Sequence, residues 1–272
     1  MKKIAVIPTL LTLCNAICGF AAIAYAGKVG QMGSSAAADS YYLALSGWLI
    51  VAAMIFDALD GFVARLARTA SSFGGELDSL CDVISFGVAP AFLVLRLGPD
   101  WERPTLHKIL AVIATLYAVC AILRLARFNV ENAPDVNGHK RFRGLPSPAA
   151  AGCLASLAIL YGSLGEKWPA FDAALLKSAI QAWATIGALM VALLMVSRVS
   201  YPHVTKQVFR GRRHFNHLLQ IILAGCIIVL MQELALVLLF WSYTLGIFLR
   251  SVWIRGTRRQ ALPAGIEEVV PH

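Results

Sequence analysis

The sequence predicts an all-α polytopic membrane protein, with a six-helix transmembrane core followed by a two-helix C-terminal extension. Three observations carry that expectation. Hydrophobic residues make up 58% of the 272 and charged residues only 14%, whereas a soluble domain carries about a quarter charged. Apolar stretches of about 20 residues, the length a helix needs to cross the hydrocarbon core, recur along the whole chain. The connections between them alternate between basic and nearly neutral.

In order, core spans are expected at 4–26, 43–66, 77–97, 107–128, 148–164 and 178–197, with a further pair at 216–231 and 233–253. The first opens on Met1-Lys2-Lys3, as a signal peptide does. Its apolar run exceeds the roughly 7–15 residues of a signal h-region, and Pro8, Thr12 and Asn15 interrupt it, so it is read as a retained span. Only Gln232 and Glu233 separate the last pair; a tight hairpin is expected rather than one long surface helix. The chain therefore divides into a core, 1–200, and a region 201–272 made of a basic loop, the two extra helices and a tail.

The net charge of +9 would suit nucleic acid if it formed one patch. Instead 18 of the 24 Lys and Arg fall on the side that carries the N-terminus, and only Lys28, Arg96, Arg103, Lys108, Lys167 and Lys177 fall on the other. The positive-inside rule then places both termini in the cytoplasm and makes the lipid bilayer, not nucleic acid, the partner. All six cysteines lie in apolar segments and are read as small hydrophobes. Cys14 and Cys18, one helical turn apart, lack a second Cys or His pair that would complete a zinc site.

The chemistry is expected between 57 and 82, where the chain reads Asp57-x-x-Asp60-Gly61-x-x-Ala64-Arg65, eight residues, then Gly74-x3-Asp78-x3-Asp82. Asp57 and Asp60 share a helix face at i, i+3, and Asp78 and Asp82 at i, i+4. A short turn brings the two faces together. Helix-capping acids would explain one of these residues, but four converging carboxylates near a bilayer need compensation, since each costs about 2.5–3.5 kcal/mol in a helix centre. Hard oxygen ligands select Mg²⁺, Mn²⁺ or Ca²⁺ over zinc, and two such ions could clamp a pyrophosphate. Gly61 and Gly74 leave room for a bulky ligand beside the backbone, and Arg65 offers a planar fork for phosphate.

That pattern, D-x-x-D-G-x-x-A-R-x8-G-x3-D-x3-D, resembles the signature of the CDP-alcohol phosphotransferase family at every position. The resemblance implies Asp57, Asp60 and Asp78 as divalent-metal ligands and Asp82 as ligand or general base. It places Gly61, Arg65, Gly74, Thr9, Asn15 and Thr69 beside the CDP moiety, with Mg²⁺ or Mn²⁺, two per subunit, as cofactor. It also implies a six-helix core, a homodimer, and a site facing the cytoplasm at a bacterial inner membrane. Thr9 departs from the pattern, where Asn is expected after Pro8.

Further stretches are similar to the bacterial and archaeal members of that family that use serine as acceptor: Ile7-Pro8 to Gly19, Ser85 to Pro90, Arg124 to Asn129, and Phe142 to Pro148. They imply CDP-diacylglycerol and serine as substrates, with Arg124, Arg127, Asn129 and Ser85 around the serine. Arg124 and Arg127, at i, i+3, suit any anionic acceptor, so glycerol 3-phosphate or an inositol phosphate stays open, as does snorkelling to lipid headgroups. A divalent-cation transporter would also place acids in a bilayer, but near its midplane and with an inverted repeat. Here the acids lie at span ends and no repeat is visible.

Overall fold

The computed structural model describes residues 6–67, 72–99, 104–131, 144–164, 173–197 and 232–260. Among these every regular element is a helix: α1 (Val6–Ala26), α2 (Ala36–Leu66), α3 (Ser72–Asp82), a π segment (Val83–Val88), α4 (Ala89–Leu97), α5 (Pro104–Glu131), α6 (Ser147–Ser163), α7 (Ala173–Val196) and α8 (Gln232–Gln260). Six stretches are long and apolar enough to cross a membrane, with α3, the π segment and α4 counting as one. The protein is an integral membrane protein. The expected span at 216–231 lies outside the described residues.

Which face of a helix turns inward follows from side-chain size, because lipid is as apolar as the core. On α1 the buried stripe is Thr12, Asn15, Gly19, Ala22 and Ala26, while Ile7, Leu10, Ile17 and Phe20 are exposed. The small stripe lets α2 approach closely, and Ser46 of α2 donates to the Ala22 carbonyl at 2.9 Å. The start of α2, at Ala36, is seven residues ahead of the expected 43. Ser35 caps it by accepting from the Ala38 amide at 3.2 Å, and three alanines, the strongest helix formers, follow.

Between α3 and α4 the helix widens into the π segment, closed by a bond from the Ala89 amide to the Ile84 carbonyl. Pro90 brings no N–H to the Phe86 carbonyl four residues back, so that acceptor needs another donor. Buried Tyr117 of α5 supplies it, its hydroxyl donating to Phe86 O at 3.1 Å.

The expected fifth span, α6, is only 17 residues long, yet it is the centre of the bundle. Every residue from Ala150 to Leu160 is buried, and α6 packs against α2, α4, α7 and α8. A helix enclosed by others need not match the thickness of the bilayer. Its Ala, Gly, Ser and Cys content permits the close approaches: a Cβ on Gly47 of α2 would lie 2.8 Å from the Ala155 carbonyl oxygen. Gly47→Val is therefore expected to cost about 1–3 kcal/mol. It should lower the melting temperature in detergent, whereas Gly246→Ala, at a helical position with open space around it, should not.

The last helix is docked on this centre. Trp241 is buried, and its indole N–H donates to the Cys153 carbonyl at 3.0 Å. Thr244 meets the Cys153 thiol at 3.3 Å, and Phe240 covers Gly152. Gln232 and Glu233, at the start of α8, line a cavity with Ser40, Ser163 and Lys177 at one end of the bundle. The end of α7 lies at the opposite end, where the Leu145 amide ahead of α6 donates to the Leu194 carbonyl.

Candidate active site

The C-terminal end of α2 and the whole of α3 bring the acids together. Ligand oxygens of Asp57, Asp60 and Asp78 lie within 4.8 Å of one another. Asp60 is buried, and Asp57 and Asp78 are half-buried. The helical spacing expected from the sequence is met, and the triad could bind a divalent metal.

Unsatisfied atoms support the same conclusion. Asp60 Oδ2, Asp78 Oδ1 and Asn15 Oδ1 are buried oxygens with no hydrogen-bond partner. A buried acceptor without a donor costs about 1–3 kcal/mol, more when charged, and all three are hard oxygen donors of the kind Mg²⁺ and Mn²⁺ take. The residues fit a hard cation.

Asp82, one helical turn beyond Asp78, is not part of that triad. Its Oδ1 accepts from Asn15 Nδ2 at 3.1 Å. Asn15, expected at the nucleotide, is completely buried, and through its Nδ2 it ties α1 to the end of α3. Ser85, expected at the acceptor, is also completely buried, and its hydroxyl donates to the Asn15 carbonyl at 2.9 Å. The reason is the contact at Gly19, where an added Cβ would collide with Ser85. Both polar residues serve the junction that positions Asp82.

Asn129 at the end of α5 exchanges hydrogen bonds with Ser79, beside Asp78, at 2.9 and 3.2 Å. It clamps α5 to α3. Arg124, a turn earlier, donates through Nη1 to Ser147 at 2.8 Å, and its Nε is buried without a partner. Asp82, Tyr117 and Tyr243 are within electrostatic reach of the guanidinium. Arg127 is half-buried three residues further on.

On the outer side of the triad Arg65 is exposed, and its guanidinium lies over Gly61. Gly74 and Thr9 are half-buried, and Thr69 lies outside the described residues. Sequence reasoning did not single out Thr12, Ser79, Ser147 or Tyr243. Thr12 lies within hydrogen-bonding reach of Asp60, and the one available signal was that the first three fall inside stretches that carry the family resemblance.

A polytopic α bundle with a partly buried aspartate triad at the junction of two spans defines the class of protein, and comparison with known sequences agrees. Residues 5–194 match the model of the CDP-alcohol phosphatidyltransferase family. The chain belongs to that family, and it is a transferase. It is 35% identical over 209 residues to the CDP-diacylglycerol–serine O-phosphatidyltransferase of Methanocaldococcus jannaschii, covering 77% of this chain and 80% of that one. It is 32% identical over 200 residues to the Bacillus subtilis protein of the same name, covering 74% and 92%. The archaetidylserine synthase of Methanothermobacter thermautotrophicus is 38% identical over 158 residues, 57% of either chain. The matched region ends within α7, so α8 lies beyond it.

Proposed function

We propose that this protein transfers the phosphatidyl group of CDP-diacylglycerol to the hydroxyl of L-serine and releases CMP. The observation that carries the reading is the aspartate triad, with Asp82 one helical turn beyond it and the buried Arg124 guanidinium within electrostatic reach of Asp82. The triad suits a pyrophosphate, and Asp82 with Arg124 suits an alcohol that bears an anion. The names of the relatives support serine as that alcohol.

In this reading Asp57, Asp60 and Asp78 hold Mg²⁺ or Mn²⁺, two per subunit, which when bound supplies neutralisation of the pyrophosphate charge. CDP-diacylglycerol leaves its acyl chains in the bilayer, with Gly61, Gly74 and Thr9 beside the nucleotide. Arg124 takes the serine carboxylate, and Arg127 adds positive charge to the same approach. Asp82, held by Asn15, accepts the hydroxyl proton. The serine oxygen then attacks the phosphorus that carries the diacylglycerol, the bond from that phosphorus to the bridging oxygen breaks, and CMP leaves against Arg65. The site and both termini face the cytoplasm of a bacterial inner membrane, and the working unit is a homodimer.

The direct experiment is CMP release by the purified protein with CDP-diacylglycerol, Mg²⁺ or Mn²⁺, and each candidate alcohol in turn. Serine-dependent release is expected, and release only with glycerol 3-phosphate or an inositol phosphate would overturn the acceptor. Arg124→Lys keeps a charge but loses the planar fork. Loss of a hydrogen bond to a charged group corresponds to about tenfold or more. The variant should raise the KM for serine by that factor and leave the KM for CDP-diacylglycerol unchanged; a parallel rise in both would assign Arg124 to structure.

A further inference from the structure

The Arg124 guanidinium is held on two sides. Its Nη1 donates to the Ser147 hydroxyl at 2.8 Å, and its Cζ lies 6.0 Å from the centre of the Phe128 ring, one turn further along α5. Its Nε is buried without a partner. In a planar guanidinium the Nε–H runs parallel to one N–H of Nη2, and that pair forms an edge a carboxylate grips with two bonds; Nη1 lies on the other side. The bond to Ser147 therefore occupies the part of the fork that such a grip does not need.

Ser147 can hold the fork only if it is itself fixed, and the residues ahead of α6 do that. Gly144 adopts a positive φ of 92°, which glycine takes at no steric cost, and a Cβ there would collide with the Met195 carbonyl of α7. Leu145 is completely buried, and its amide donates to the Leu194 carbonyl at 3.1 Å. Pro146 and Pro148 restrict φ on either side of Ser147, and the Pro146 carbonyl accepts from the Ala150 amide at 3.0 Å. Ser147, completely buried, thus stands at a point set by α6 and α7 and reaches across to α5. Alanines follow at 149, 150 and 151, so packing at this end of α6 does not itself call for a hydroxyl.

We infer that Ser147 is a positioning residue for acceptor binding: by holding Nη1 of Arg124 it keeps the Nε and Nη2 edge aligned to grip the acceptor's carboxylate. This rests on the reading of Arg124 as the acceptor's anion site. The hydroxyl touches no substrate and acts through Arg124, so its effect falls on the acceptor and not on the donor.

The test is a kinetic cycle on the full-length protein, comparing wild type, Ser147→Ala, Arg124→Lys and the double variant. Ser147→Ala should raise the KM for serine about fivefold, less than the roughly tenfold of Arg124→Lys, because the fork loses alignment but keeps its charge and its donors. The KM for CDP-diacylglycerol should not change. In the Arg124→Lys background Ser147→Ala should add nothing, since two residues that act through one group are not additive. An unchanged serine KM in Ser147→Ala, a parallel rise in both KM values, or a further rise on top of Arg124→Lys overturns the proposal. Should Ser147→Ala fail to fold, Ser147→Cys, close in volume and only a weak acceptor, carries the same readout. If Arg124→Lys itself leaves the serine KM unchanged, the reading of Arg124 fails and this proposal with it; if Arg124→Lys raises it and Ser147→Ala does not, the proposal alone fails.

Discussion

Asp82→Asn is expected to reduce turnover by about 10³, within the 10² to 10⁴ that a general base typically contributes, while CDP-diacylglycerol still binds. The substitution changes proton affinity and little else. Asn15 donates to Asp82 Oδ1, and an asparagine at 82 can offer its carbonyl oxygen to the same donor. The Asn15–Ser85 junction between α1 and the π segment is untouched. What disappears is an acceptor for the serine proton. CMP release and binding of radiolabelled CDP-diacylglycerol, measured on the same preparation, separate the two effects. Turnover within about tenfold of wild type would remove Asp82 from the role of base, and loss of donor binding would make it a metal ligand instead.

Removing divalent cations should have the other large effect, and it has a readout that does not depend on activity. Ligand oxygens of Asp57, Asp60 and Asp78 lie within 4.8 Å of one another. At an effective dielectric of 20, two unit charges at that separation repel by about 3 kcal/mol. A bound cation turns that repulsion into attraction and stabilises the folded state by about 2.7 kcal/mol at a hundredfold excess over its Kd. Chelation by EDTA should therefore abolish CMP release and lower the melting temperature, with Mg²⁺ or Mn²⁺ restoring both. Asp60→Asn, at the buried member of the triad, should leave a protein that folds but no longer shows the cation-dependent shift. A wild-type melting temperature indifferent to EDTA, Mg²⁺ and Mn²⁺ would remove the triad as a metal site.

The sequence by itself determined the class of fold and the grouping of the acids on α2 and α3, because both depend on local regularities. A span needs only length and apolarity, and a shared helix face needs only i, i+3 or i+4 spacing, so α1, α5, α7 and the grouping of Asp57, Asp60 and Asp78 were all legible. Where local capping competed with hydropathy, as at Ser35 ahead of α2, the boundary moved. The tertiary structure alone decided that α6, the shortest of the six expected core spans, is the centre, that Asn15 holds Asp82, and that α8 docks on α6 through Trp241 and Cys153. Those facts join residues 67 to 88 positions apart along the chain. In a bilayer the lipid-facing and core-facing surfaces are both apolar, so hydrophobic periodicity does not say which face turns inward. Small residues and hydrogen bonds between helices decide it, and they become visible only when the helices are packed.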